Sequence, residues 1–182
     1  MANINKTKVI TGTNTRLSYF HGWEPVSING GAEKYSTAVL IPKTDKKTID
    51  AIEKAIDAAI EEGIAKFGGK KPNKAAIKLQ LRDGDIERDD EAYKGHYFIN
   101  ANSTTPPQIV DQRVQPILER SQVYSGCYAR VSINFYAFNS NGNKGVAAGL
   151  GNIQFVHDGE PLGGQTSASD EFETLADDDF LA

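Results

Sequence analysis

The sequence predicts a mainly β protein, a small β-barrel carrying one long helix. Three observations lead there. Short stretches rich in Thr, Val, Ile and aromatic residues recur along the chain, separated by turn residues. One stretch alone, at about residues 45–67, repeats its apolar residues at helical spacing. The regular strand–helix alternation of a parallel α/β sheet is missing. The 182 residues suit one domain, long enough to bury a core without disulfides or metals.

The elements follow in order. Residues 8–20 read as one or two strands, and Asn29-Gly30-Gly31 marks a turn. Residues 34–41 form the next strand, closed by Pro42. Thr44 or Asp45 caps the helix, whose stripe is Ile49, Ile52, Ile56, Ile60, Ile64 and Phe67 and whose stop is Gly68-Gly69. Then the period changes to two. Ala75, Ile77, Leu79 and Leu81 alternate with Lys74, Lys78, Gln80 and Arg82, predicting a half-buried strand with a basic outer face. Asp83-Gly84-Asp85 is a turn, residues 87–91 an acidic loop and residues 96–101 a strand. Pro106-Pro107 breaks the chain, and the connection 110–120 has room for a short helix ended by Pro116. Residues 123–138 are the longest β pattern. Turn residues at 139–143 join it to a strand over 146–157, where Gly149 and Gly151 mark a bulge. Beyond Leu162-Gly163-Gly164 no apolar period remains, and disorder is expected. The domain is therefore placed at 1–164 and a flexible acidic tail at 165–182.

Charge divides at the same place. The chain has 20 Lys and Arg against 24 Asp and Glu, yet six acids (Asp170, Glu171, Glu173, Asp177, Asp178 and Asp179) lie in its last thirteen residues. No Lys or Arg lies beyond Lys144, so the body before residue 165 has 20 bases and 18 acids. A slightly basic body joined to an acidic tail is the pattern of separated charge blocks.

Several chemistries find no support. Cys127 is the only cysteine, which rules out an intramolecular disulfide, and His21, His96 and His157 are far apart in sequence for a zinc site. No apolar run approaches the roughly 20 residues of a membrane span, and the N-terminus lacks a secretory apolar region. There is no phosphate-cradling Gly-Lys-Ser/Thr loop, and the glycines at 145, 149 and 151 do not follow dinucleotide spacing. The acids Asp83, Asp85, Glu87, Asp89, Asp90 and Glu91 read as a turn and a solvated loop rather than a metal centre. No enzyme activity, metal or cofactor is expected.

The long β pattern carries the functional signal. Its odd positions, Val123, Ser125, Cys127, Ala129, Val131, Ile133, Phe135 and Ala137, are small and apolar and make the core face. Its even positions include Tyr124, Tyr128, Arg130 and Tyr136. Tyrosines beside an arginine on one sheet face suit unpaired bases, because every base has a π-face to stack and Arg meets phosphate. The same pattern also suits a half-exposed structural face, since tyrosine is a good strand former.

Five segments, in one order, resemble a known family: Leu81-Arg-Asp-Gly-Asp85, Tyr93-Lys-Gly-His-Tyr-Phe98, Val123-Tyr-Ser-Gly-Cys-Tyr-Ala-Arg-Val131, Asn143-Lys-Gly-Val-Ala-Ala-Gly-Leu150 and Asp158-Gly-Glu-Pro-Leu-Gly-Gly164. They resemble the single-stranded-DNA-binding proteins of tailed phages and prophages, a group long carried as a domain of unknown function. The resemblance runs from about Arg16 to the C-terminus. It implies an OB-fold, a five-stranded Greek-key barrel, that coats and protects single-stranded DNA without sequence preference during replication or recombination. The ending is similar to that of replication single-strand binders of short-tailed phages, in which an acidic tail closes on an aromatic residue. Asp177-Asp178-Asp179-Phe180 matches it, except that Leu181 and Ala182 follow the Phe.

Residue pattern and resemblance together assign Tyr124, Tyr128 and Tyr136 to base stacking and Arg130, Arg113, Lys94, Arg82 and Lys78 to phosphates. Asp177, Asp178, Asp179 and Phe180 are assigned to a tail that competes with DNA for the groove and recruits phage or host replication and recombination proteins. The implied setting is the cytoplasm of an infected or lysogenic bacterium, and exposed barrel edges allow a homodimer. The alternative is a non-enzymatic β-barrel interaction module without nucleic-acid affinity. A metal-dependent nuclease using Asp83 and Asp85 lacks the ligand cluster it needs.

Overall fold

Alternating apolar residues become eight strands in the computed structural model, which describes residues 5–27, 30–162, 173 and 175. They are β1 (Lys8–Ile10), β2 (Arg16–Ser27), β3 (Glu33–Pro42), β4 (Arg82–Asp83), β5 (His96–Ser103), β6 (Ile109–Val110), β7 (Tyr128–Ser140) and β8 (Asn143–His157). The helices are α1 (Lys46–Glu62) and the single turn α2 (Gly84–Glu87). The five long strands close on themselves. β2 is antiparallel to β3 and to β7, β3 to β5, and β7 to β8, while β5 and β8 are parallel. That is the expected five-stranded Greek-key barrel. The other three strands are additions of two or three residues: β1 continues along the β7 edge that β2 leaves, β4 pairs β5, and β6 pairs β8.

Period-two patterning sets the interior. Leu17, Val39, Ile41, Ile99, Ala129, Val131, Ile133, Phe135, Val146 and Ile153 are all buried in one core. The helix adds Ile49, Ile52, Ile56 and Ile60 to it, packed against β1, β7 and β8. Its α-helical part ends at Glu62, and a 3₁₀ turn, Ile64–Phe67, continues the stripe to buried Phe67 before Gly68 turns left-handed. Gly63 lies against Ala137 so closely that a Cβ there would meet its side chain, which is how the helix end reaches β7.

Asp45 starts the helix. Its carboxylate accepts from the Thr48 N–H, and the Thr48 hydroxyl accepts from the Gly12 N–H, joining helix start to the chain after β1. Asp45→Ala should therefore lower stability by about 1 kcal/mol. Urea melts check this, and an unchanged midpoint would remove the cap from the stability account.

Three sequence expectations need correction. Residues 75–81 are not a strand: Lys74–Ala76 is a 3₁₀ turn, and only Lys78 pairs, in a single bridge to Gly145. The alternation holds only in part: Ile77, Leu79 and Leu81 pack on the core, but Ala75 is exposed and Gln80 is half-buried. The free edge of β8 has room for one residue there before β5 and β6 take positions 149 and 153–154. Residues 110–120 hold no helix ended by Pro116. The Asp111 carboxylate captures the Arg113 and Gln115 N–H groups and folds a tight turn, with Val110 bridged to Pro116. The pattern at 123–138 becomes strand only from Tyr128, because Gly126 sits at φ +111 and breaks the run.

The β7–β8 hairpin turns on Asn141 and Gly142, both at positive φ, the requirement of a two-residue type I′ turn. The expected bulge is present. Val131 pairs Ile153 while Ile133 pairs Leu150, leaving one extra residue on β8, and the Ser132 hydroxyl accepts from the freed Asn152 N–H at 2.7 Å. The tail assignment at 165–182, with Asp177, Asp178, Asp179 and Phe180, lies outside the described residues apart from positions 173 and 175.

Candidate functional site

The outward residues of β3 and β5 make one surface. Register sets Leu40 beside Phe98, Ala38 beside Asn100 and Ser36 beside Asn102, while Val39, Ile41, Ile99 and Ala101 face the core. Residues 84–93 cover half of this surface. Tyr93 is fully buried there in a second small core with Ala38, Leu40 and Phe98, its ring edge-on to Phe98 at 5.2 Å. Asp83 caps α2, and Gly84 passes so close to the Tyr93 and His96 carbonyls that no Cβ fits. Lys43 bridges Asp83 and Asp85 at 2.8 and 2.7 Å, and the Gly95 N–H donates to Asp85. Hydrogen bonds from Lys43 and Gly95 hold the Asp85 carboxyl below its ordinary range, and the two carboxylates raise the Lys43 ammonium.

The other half stays open as a groove of about 620 Å³. Ser36, Asn100 and Asn102 form its floor, with Lys34 beside them, and Tyr19 and His21 of β2 form one wall. Arg88 closes one end. Its guanidinium carbon lies 5.9 Å from the Tyr19 ring centre and 5.3 Å from those of Tyr93 and Phe98. No ion pair among the described residues uses Arg88. Among the described residues its charge is therefore not paired with a carboxylate.

Tyr19 is the unusual residue of the wall. It sits at φ +47, and its side chain is 53% exposed. A bulky side chain in the left-handed region costs of order 1–3 kcal/mol and persists only where the surroundings impose it. Here the β2–β3 register shifts between Ser18 and His21, and the Phe20 N–H donates to the Ser125 hydroxyl at 2.8 Å. The bulge puts Tyr19 and His21 on a ridge between the groove and a second, apolar chamber of about 760 Å³. Phe20, Trp23, Tyr124 and Leu162 line that chamber. Residues 158–162 strap its far side: the Tyr124 hydroxyl donates its one proton toward the Asp158 carboxylate, with the Gly159 carbonyl also within reach, and accepts from the Gly159 N–H, Arg16 holds the Glu160 and Gly126 carbonyls, and the Leu162 N–H donates to the Ser125 carbonyl.

The sequence-predicted residues are spread over the barrel. Tyr124 lines the apolar chamber. Tyr128 is close by, its ring 4.5 Å from that of His157 with the Arg16 guanidinium 5.6 Å above it. Arg130 is half-buried and tied down, its Nε donating to the Thr11 carbonyl at 3.0 Å. Arg113 stands on the 111–115 turn, which reaches the same side through Gln154, the β8 partner of Arg130. Tyr136 is exposed but about 26 Å along β7 from Tyr128. Arg82 pairs with Glu87 beside Phe98, and Lys94 pairs with Glu91 at the foot of the covering segment. Lys78 is exposed beside Gly145. Tyr124 and Tyr128 both meet the 157–159 segment, and the eight share no single groove.

Sequence reasoning missed Tyr19, His21, Arg88, Asn100 and Asn102. Parity applied to 34–41 and to 96–101 extended by one residue would have placed Ser36, Asn100 and Asn102 on one outer face. Nothing local marks Tyr19 as left-handed. Cys127, fully buried, has its thiol pushed up to about 11 by desolvation and takes no part in the site.

A barrel closed in the order β2–β3–β5–β8–β7, with a groove across its first three strands, belongs to the OB-fold class, whose members bind oligonucleotides or oligosaccharides on that face. Within that class the chain is a member of the Enterobacter phage Enc34 ssDNA-binding protein family, whose family model matches residues 7–181. It is 34% identical over 173 residues to the putative protein p50 of Acyrthosiphon pisum secondary endosymbiont phage 1, covering 90% of this chain and 91% of that one. The single-stranded DNA-binding protein of bacteriophage Enc34, solved in complex with ssDNA, is 28% identical with a TM-score of 0.70, over 86% of this chain and 90% of that one. The single-stranded DNA-binding protein encoded by bacteriophage T7 shares the fold, with a TM-score of 0.60 at 14% identity over 93% of this chain and 96% of that one.

Proposed function

We propose that this phage-family protein binds single-stranded DNA along the β2–β3–β5 groove and coats it without sequence preference. The observation that carries the reading is the pairing of exposed, left-handed Tyr19 with the Arg88 guanidinium, which has no carboxylate partner among the described residues, across a half-open OB face. A base stacks on Tyr19, while Arg88 and Lys34 meet phosphates. The strand crosses the Tyr19–His21 ridge into the aromatic chamber, where Tyr124 and, past the 158–162 strap, Tyr128 extend the path. Arg82 stands beside the Arg88 end. Arg113, Arg130 and Tyr136 are met only by a strand that wraps onto the β7–β8 face, and Lys78 and Lys94 only at the groove's outskirts. No catalytic step is proposed.

The acidic tail is the second part of the proposal. Asp177, Asp178, Asp179 and Phe180 compete with DNA for the groove and, when displaced, recruit replication or recombination proteins in the host cytoplasm. Its support is charge: a block of carboxylates on the same chain as a cationic groove. Its support in structure is that the strap delivers Leu162 into the apolar chamber, next to the groove. A homodimer would use β1, a three-residue strand at the end of the hydrogen-bonded path.

One titration tests both parts. Fluorescence anisotropy is followed for labelled oligo-dT and a matched duplex at two salt concentrations, with the full chain and a chain ending at Gly164. The single strand should bind and the duplex should not, with a log–log salt slope near −0.7 per phosphate neutralised. The shortened chain should bind several-fold more tightly, most clearly at low salt. Absence of oligo-dT binding would leave the protein-interaction module as the better reading. Equal affinity of both chains at both salts would refute the competing tail.

A further inference from the structure

The floor of the groove is polar where a surface built only for stacking would be apolar or aromatic. Asn100 and Asn102 stand on the same face of β5, about 6.6 Å apart along it. Ser36 lies opposite Asn102, and Ala38, small enough to leave the amide uncovered, lies opposite Asn100. Both asparagines are half-buried in the groove, and neither side chain enters a hydrogen bond among the described residues, although Ser103 and Thr105 just beyond bond each other. Two amides are thus held in a concave site with their donors and acceptors unspent.

A primary amide carries a donor and an acceptor side by side. Each unpaired base shows the same pair on its Watson–Crick edge: adenine N6–H beside N1, cytosine N4–H beside N3, guanine N1–H beside O6, thymine N3–H beside O4. The amide turns about its last bond to match either order, so one asparagine serves all four bases. In a duplex the partner strand occupies that edge. A strand seated in the groove strips water from both amides, and a base unable to pair with them leaves buried polar groups unsatisfied.

We infer that Asn100 and Asn102 form a base-edge subsite, hydrogen-bonding the Watson–Crick edges of unpaired bases while Tyr19 stacks and Arg88 meets phosphate. This rests on the single-strand reading above and adds to it a means of selecting single strands by the availability of the base edge rather than by sequence.

The test compares oligo-dT with an oligonucleotide of N3-methylthymidine. Length, charge and stacking face are kept, and the N3–H donor is lost. The full chain should bind the methylated strand about ten-fold more weakly. A chain carrying Asn100→Leu and Asn102→Leu should bind both strands alike, near the affinity of the unaltered chain for the methylated one. Equal binding of both strands by the unaltered chain would overturn edge recognition and leave the single-strand reading intact. Retained discrimination in the double variant would overturn the assignment to these two residues. Binding of neither strand by the unaltered chain would overturn the single-strand reading and the subsite with it. Because the first comparison needs no substitution, the inference can fail even if the variant does not fold.

Discussion

Tyr19→Gly should weaken single-strand affinity by about 1–3 kcal/mol, the value of one base–aromatic stack, while leaving stability within about 1 kcal/mol of the unaltered chain. Two opposing terms explain the small stability change. The backbone at φ +47 is one that glycine adopts freely and a bulky residue does not. Against that relief stands the greater freedom glycine has in the unfolded chain. The ring itself contributes little to packing, being exposed on a ridge with Arg88 as its cationic neighbour. The result to look for is therefore a separation: an anisotropy curve shifted by five-fold or more beside a nearly unmoved urea midpoint. An unaltered affinity would take Tyr19 out of the site and move the stacking role to the aromatic chamber. A collapse of both together would mean that the residue is structural.

Gly126→Ala should do the opposite, lowering stability by about 2–4 kcal/mol. Gly126 is at φ +111, a region essentially closed to residues with a Cβ. A Cβ there would also meet the Glu160 carbonyl oxygen and come within 3.0 Å of the Pro161 Cα. The two penalties act at a residue whose N–H donates to the Leu17 carbonyl at 2.7 Å and whose carbonyl accepts from Arg16. The chain relieves the clash by lifting residues 158–162, which breaks the Leu162–Ser125 and Arg16–Glu160 bonds. Urea melts should show a lower midpoint with an unchanged slope, and proteolysis should reach the strap sooner. A midpoint equal to that of the unaltered chain would show that the strap does not hold this end of the barrel.

Legibility in the sequence followed the range of each signal. The helix was readable because its stripe, its Asp45 cap and its Gly68 stop are all local. The core parity of 123–138 was largely readable too: Val123, Cys127, Ala129, Val131, Ile133, Phe135 and Ala137 are buried, while Ser125 of that face is half-buried and Ser132 of the other is buried. What the opposite face does was not readable, because its partners come from elsewhere in the chain. Thr11 takes Arg130, His157 takes Tyr128, and Asp158 takes Tyr124. The groove was hidden for the same reason. Whether an outward residue of β3 or β5 meets solvent depends on where Tyr93 docks. That contact covers Leu40 and Phe98 and leaves Ser36, Asn100 and Asn102 open. Residues 75–81 show the converse case, a strand signal whose Ile77, Leu79 and Leu81 do pack on the core but whose pairing edge is already occupied.

β5 and β8 pair at one residue, Asn102 with Gly149, and β2 and β7 at one, Arg16 with Tyr128, whereas β3 and β5 share eight pairs and β7 and β8 form a long hairpin. The cylinder therefore has two seams, of which the β5–β8 one borders the groove. The two sides of each are far apart in sequence, so drawing them together carries a loop-closure cost that the β2–β3 and β7–β8 hairpins do not carry. Both seams are expected to close after those hairpins and to open before them, which native-state hydrogen exchange would show. One of the two residues that fasten the β5–β8 seam is also part of the groove floor. A ligand that needs Asn102 in its closed-barrel position would act as a stitch, and binding in the groove would stabilise closure of the cylinder by linkage.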